Sequence, residues 1–157
     1  MTRDEATRLL DEYRAGIDAE LNLLRQLAEV ARQQREVTAA GDFQAFHRVA
    51  DRRDAIMQSL VTIEEGLRSI RQTLAAHRDV ARQVDGYDAV VARHREATLL
   101  VGEILATDQQ SMSALADAEL ARRSAIASLE RGETTLAAYR RVLAPPAGHA
   151  RLVDKIG

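Results

Sequence analysis

No cysteine occurs in the chain, so disulfides, thiolate nucleophiles and cysteine-ligated metal sites are excluded. Tryptophan is absent too, and the only aromatic residues besides histidine are Tyr13, Phe43, Phe46, Tyr87 and Tyr139. A core this poor in rings must be filled by Leu, Ile, Val and Ala, which suits thin helical bundles better than sandwiches or barrels. Proline is confined to Pro145 and Pro146, so nothing on proline grounds interrupts a helix between residues 1 and 144. No apolar run approaches the roughly 20 residues that span a bilayer. The N-terminus, Met1-Thr2-Arg3-Asp4-Glu5, is charged and lacks an apolar signal core. The default expectation is a cytosolic protein with no membrane span. Lysine is nearly missing: Lys155 is the single one among 22 basic residues. A net charge of −2 with both signs interspersed argues against nucleic acid as the main partner, because phosphate binding needs a basic surplus on one face.

What the chain does have is a heptad run without a gap. In Phe46, Val49, Arg53, Ile56, Leu60, Ile63, Leu67, Ile70, Leu74 and His77 the spacing alternates three and four. Strand side chains alternate with period two and cannot produce this spacing. The segment is therefore a long helix with one narrow apolar seam, which must be buried against other helices. A length of 157 residues with 46% hydrophobic and 29% charged residues fits one folded domain.

Turn signals divide the chain into three helices. Helix 1 is expected over 2–40, opened by Thr2 and Glu5 at capping-box spacing, with an inner face of Leu10, Tyr13, Ile17, Leu21, Leu24, Leu27 and Ala31. Gly41 reads as the residue that ends it and Asp42 as the next N-cap. A turn this short makes an antiparallel hairpin, the alternative being one helix continuous through Gly41. Helix 2 is expected over 43–83 and Asp85-Gly86 as the second turn. Helix 3 is expected over 88–143. Its seam reads His94, Val101, Ile104, Leu105, Asp108, Met112, Leu115, Ala118, Arg122, Ala125, Ile126 and onward to Leu143. Met57 and Met112 read as core filling. The predicted fold class is all-α, an elongated antiparallel three-helix bundle or coiled coil with a long C-terminal helix. Residues 1–143 form one domain in this reading, and 144–157, with the Pro-Pro pair, a flexible tail.

Lengths bear on function. At 1.5 Å per residue helices 1 and 2 are about 60 Å long and helix 3 about 85 Å. Helix 3 then runs out of partner near Ala125. Ile126, Leu129, Leu136, Tyr139, Val142 and Leu143 are left without intramolecular cover, and an uncovered apolar stripe marks an interaction surface. These six residues are the candidate partner-binding site. Two plainer readings stay open: the helix breaks at Gly132 and folds back, or two copies dimerise there.

Chemistry is sparse. The histidines lack the converging ligands that a helical metal site needs, and each is assigned a solvated or boundary position. His94-Arg95-Glu96 faintly resembles a phospho-accepting histidine on a helical hairpin, without the small residues around it. No serine has a nucleophile-elbow context and no glycine-rich loop cradles phosphate. The expectation is a non-enzymatic protein with no metal and no cofactor. Arg53, Asp108 and Arg122 stand inside the seams, where polar groups set register and partner choice.

The stretch Ala39-Ala40-Gly41-Asp42-Phe43-Gln44-Ala45-Phe46, followed by Val49-Ala50-Asp51-Arg52-Arg53-Asp54-Ala55-Ile56-Met57-Gln58-Ser59-Leu60, resembles the flagellar type III export chaperones of the FlgN/FliT kind. Glu103-Ile104-Leu105-Ala106-Thr107-Asp108, Leu115, and Leu129-Glu130-Arg131-Gly132 to Ala138-Tyr139-Arg140 are similar to their C-terminal half. An Asn-rich segment of the third helix is replaced here by Leu115-Ala116-Asp117-Ala118-Glu119-Leu120. The resemblance implies a cytosolic chaperone that holds a hook-associated or filament-cap subunit through its C-terminal helix and keeps it from premature assembly. Two rivals are a scaffolding coiled coil that self-associates and a histidine-phosphotransfer module.

Overall fold

The structure is a computed structural model that describes residues 1–131; the expectations for 132–157 lie outside the described residues. It is all-α, with no strand among the described residues: α1 (Arg3–Ala40), α2 (Phe43–Ala76), a single-turn α3 (Arg78–Ala81) and α4 (Tyr87–Glu130). The chain groups into a first unit, Met1–Ser111, and a second that begins at Met112.

The first helix starts and stops as its sequence dictates. Thr2 Oγ1 accepts from the Glu5 amide while the Glu5 carboxylate accepts from the Thr2 amide, a complete capping box that satisfies two free donors. Gly41 ends the helix in the left-handed region (φ 69°), where a Cβ would be strained, and its amide bonds back to Thr38. Asp42 then accepts from the Ala45 amide and opens α2. The turn is a hairpin, and the continuous-helix alternative is overturned by the αL glycine.

Within the first unit α2 runs antiparallel to α1, and α4 antiparallel to α2. The whole predicted inner face of α1 is buried, together with Ala6, Ala28 and Val30. Toward one end Ala6, Leu10 and Tyr13 pack with Leu67 and Ile70 of α2 and with Val84 and Val90. Toward the other, Leu24, Leu27, Ala28, Val30 and Ala31 pack with Ile56 of α2 and Ile104 of α4. Between the clusters Gly16 admits the closest approach of α2: a Cβ there would sit 2.4 Å from Leu67 Cδ2 and 3.0 Å from its Cγ.

Two expectations need correction. Helix 2 does not reach residue 83. It stops at Ala76, where His77 leaves helical geometry (φ −117°, ψ 39°). The chain then makes a single helical turn and a tight turn through Gly86 (φ 92°), which drives Ala81 and Val84 into the core at 1% and 5% exposure. Burying such side chains offsets the interrupted helical hydrogen bonding by roughly 1.5 kcal/mol or more for the valine. Residues spent in that turn are lost to α2, which shifts its pairing toward the start of α4. The first unit accordingly closes at Ser111 and not near Ala125. Second, the expected seam of α4 is exposed at Val101, Leu105, Met112, Leu115, Ala118, Arg122 and Ile126. Val90, Ala97, Leu100 and Ile104 face the core, whereas Val101 and Leu105 are exposed. Met57 and Met112 are exposed too and fill no core.

Gly16 and Gly66 both lie within helices but in opposite surroundings, since a Cβ at Gly66 meets nothing within 4 Å. Gly66→Ala should raise stability by about 0.5–1 kcal/mol through helix propensity alone. Gly16→Ala should lower it, because three Leu67 carbons crowd the new methyl and rotation about χ2 leaves Cγ where it is, so the buried Leu67 must change χ1 or the helices must part. Urea melts of the two variants check the opposite signs; equal stabilisation would contradict the close approach.

Candidate functional site

Polar groups enter the core of the first unit at two levels. At one, Arg53 of α2 points at Asp108 of α4 with two parallel hydrogen bonds of 2.7 and 2.6 Å, and also donates to Gln34 of α1 at 2.9 Å. Both charged side chains are about three-quarters covered. The carboxylate holds the Arg53 guanidinium above its ordinary range, against the burial that opposes charge. This planar fork fixes three helices in one register, as the seam position of Arg53 and Asp108 led us to expect. Arg122, the third seam charge, does not join: it is exposed and pairs with Glu119 on its own helix.

The second level was not legible as a unit. Tyr13 of α1, Arg71 and Glu64 of α2 and His94 of α4 form one connected network. Arg71 donates from Nε to the Tyr13 hydroxyl at 3.0 Å and from its two terminal nitrogens to both Glu64 oxygens. Its guanidinium also lies 5.8 Å from the Tyr13 ring centre. The Tyr13 oxygen thus accepts from Arg71, which leaves its proton for His94 Nε2, 2.5 Å away. That arrangement needs neutral imidazole. His94 is pushed below the usual histidine range, first by burial and then by Arg71. The Glu64 carboxyl is lowered by its bonds to Arg71, while Glu20 is raised by burial and by the charge of Glu64. His94 thus holds a boundary position, as expected, half-buried and hydrogen-bonded. Sequence reading saw Tyr13 and His94 on inner faces. The Gly41–Asp42 hairpin sets Arg71 opposite Tyr13, but sequence reading had no signal that the loss of 77–83 from α2 would bring His94 to the same level.

The candidate partner site lies on α4. Met112, Leu115, Glu119, Arg122 and Ile126 follow the heptad steps of three and four, in register with the exposed Val101 and Leu105 earlier in the helix. Met112, Leu115 and Ile126 are exposed at 67%, 45% and 42%. The two charges between them are tied locally: Glu119 accepts from Arg122 and Arg123, which takes its carboxyl down to about 2. The opposite side of this stretch is covered at Ala125 and Ser128, each at 2% exposure. Of the six predicted residues, Ile126 is on the open stripe and Leu129 lies in α4. Leu136, Tyr139, Val142 and Leu143 lie outside the described residues. Met112 and Leu115 had been read as seam and belong to the site. Among the described residues no three His, Asp or Glu side chains gather as a metal site would need. No helix there is long and apolar enough to cross a membrane.

Removing one member of the Arg53–Asp108 pair strands its partner, so Arg53→Met and Asp108→Leu should each destabilise by on the order of 1–3 kcal/mol. The double variant should lose less than the sum, and thermal melts of all four proteins give the coupling. The pH dependence has a definite sign. His94 binds its proton more weakly folded than unfolded, so its contribution is complete above about pH 6.5 and is lost as pH falls below that toward its depressed folded value. Glu20 works oppositely, gaining as pH falls through its raised range. The stability of wild type relative to His94→Gln should therefore fall between pH 7.5 and 5.5; parallel curves would show that His94 stays ordinary. No protein-family model, curated protein or solved structure matches the chain.

Proposed function

We propose that the chain is a protein-binding helical module that captures an amphipathic helix of a partner along the exposed stripe of α4. We further propose that it serves as an export chaperone of the FlgN/FliT kind, acting in the cytosol without enzymatic chemistry. The observation that carries the binding reading is Met112, Leu115 and Ile126, three large apolar side chains open to solvent on one heptad face of α4, where they continue the exposed Val101 and Leu105. An incoming helix with its own apolar seam would bury Met112, Leu115 and Ile126. Glu119 and Arg122, within the stripe, would select a partner helix with polar groups at that level. The resemblance of 39–60 and of parts of 103–140 to the export chaperones supplies the partner class: the helical end of a hook-associated or filament-cap subunit. Covering its seam would keep such a subunit from polymerising. The histidine-phosphotransfer rival is disfavoured, because His94 Nε2 is occupied by the Tyr13 hydroxyl inside the bundle.

Burying one such side chain contributes roughly 1.5–3 kcal/mol, so a few of them support micromolar affinity after ordering and association costs. Calorimetric titration with peptides from the helical ends of hook-associated and filament-cap subunits should give a Kd on the micromolar scale. Leu115→Asp with Ile126→Asp should abolish it with the melting transition unchanged. Binding at full affinity by that double variant would move the site elsewhere; no binding of any such peptide to wild type would end the chaperone reading.

A further inference from the structure

Where the open face of α4 runs through the first unit, α2 supplies a second wall. Val101 and Leu105 stand on the same heptad face of α4 as Met112 and Leu115, and are exposed at 42% and 62%. The fork between Arg53 and Asp108 sets the register of antiparallel α2 and α4, so each residue forward on α2 answers one back on α4. Met57 then comes level with Ile104 and Val61 with Leu100, each one residue from the open pair. Met57 follows Arg53 by four residues and Val61 follows Met57 by four, which keeps both on the flank of α2 that turns toward α4. They are exposed at 42% and 52%. None of the four is spent in the core, which takes Ile56, Leu60, Leu100 and Ile104 from the adjoining faces. Gly102 stands beside them, and a Cβ there would meet nothing within 4 Å, so an incoming backbone can come close.

The charges along this groove are unequal. Asp54, Met57, Val61, Glu65 and Arg68 follow one another on α2 in steps of three and four, all exposed. Glu65 has Arg68 one turn beyond it, and Arg95 of α4 comes to nearly the same level, so no acidic surplus stands at that end. At the other end Asp54, with Asp51 one turn before it, has no such company. Neither makes an ion pair among the described residues. Arg53 beside them is committed to Asp108, and the charge of Arg52 reaches Glu29 of α1. On the α4 side of the groove Thr98, Gly102 and Gln109 are uncharged. A helix lying there meets apolar surface along its seam and two unmatched carboxylates along its α2 edge. Resting on the partner-helix reading above, we propose that this groove of the first unit seats the partner and selects a cationic amphipathic helix, with Lys or Arg on the edge that meets Asp51 and Asp54. Charge complementarity of this kind sets the choice of partner and the rate of encounter more than raw affinity, and the same two carboxylates reject an acid-edged helix.

Two synthetic peptides of about 18 residues, with the same leucine seam but bordered by lysine in one and glutamate in the other, test this by fluorescence anisotropy against the full chain. The lysine peptide should bind with a micromolar Kd, at least tenfold tighter than the glutamate peptide, and weaken as salt rises. Asp51→Lys with Asp54→Lys should reverse the preference. Val61→Gln with Leu105→Gln should raise the Kd of the lysine peptide at least tenfold and leave the melt unchanged, since both side chains are exposed. Equal binding of the two peptides would overturn the proposal, as would a preference that the two aspartate substitutions leave unreversed. So would binding of neither peptide; if wild type then sediments as a dimer that Val61→Gln dissociates, the occupant is a second copy. Leu115→Asp with Ile126→Asp separates this groove from the stripe beyond Ser111. Full affinity in that variant, with loss in Val61→Gln, Leu105→Gln, would end the stripe and keep the groove. The reverse pattern would end the groove alone.

Discussion

The buried ridge of α1 is the constraint on which the rest of the first unit depends. Leu10, Tyr13, Ile17, Leu21, Leu24, Leu27 and Ala31 present a continuous surface, and both other long helices reach the core by packing on it. Neither α2 nor the early part of α4 has a comparably deep stripe: α2 buries only Ile56, Leu67 and Ile70 below a tenth exposure. Their remaining seam residues are half-covered because two flank helices share one ridge. Helices this long are held by tertiary packing more than by propensity, so loss of the ridge would free both partners at once.

Apolar ridges fix which faces meet but tolerate sliding by a heptad. The polar levels remove that freedom. Arg53 reaches Asp108 and Gln34 together, and Arg71 reaches Tyr13 and Glu64 together. A one-heptad slip would leave each of these half-buried charges without a partner, at a cost well above the value of any single apolar contact. The two levels also differ in kind. The Arg53 fork is a permanently charged pair, whereas the Tyr13–His94 bond requires a neutral imidazole and so links that level to pH.

Much of this was readable in the residues. The α1 face, the capping box, the Gly41–Asp42 hairpin and the start of α4 all follow from local rules that act over a few positions. What was not readable depends on where helices end in space. Nothing in Ala76-His77-Arg78 announces a break, since the ten residues from Leu74 to Gln83 contain neither glycine nor proline. The break is imposed by the burial of Ala81 and Val84. It then reset the α2–α4 register, which brought His94 level with Tyr13 and Arg71, and ended the first unit sooner along α4 than helix lengths had indicated. Of the uncovered residues expected from those lengths, Ile126 is exposed. Met112 and Leu115 were not among them, because the point at which α4 leaves its cover was placed too late.

The account turns on the stripe Met112, Leu115 and Ile126 of α4 being open in the free protein, beyond the stretch of the helix that packs within the first unit. Residue-resolved hydrogen exchange on the full chain measures this directly. Amides of 90–108 should exchange only through opening of the first unit, near its global stability, while those of 112–126 exchange by easier local opening, with a step at the boundary. Equal, slow exchange across 90–126 would mean that the stripe is covered in the free protein, and would contradict the account.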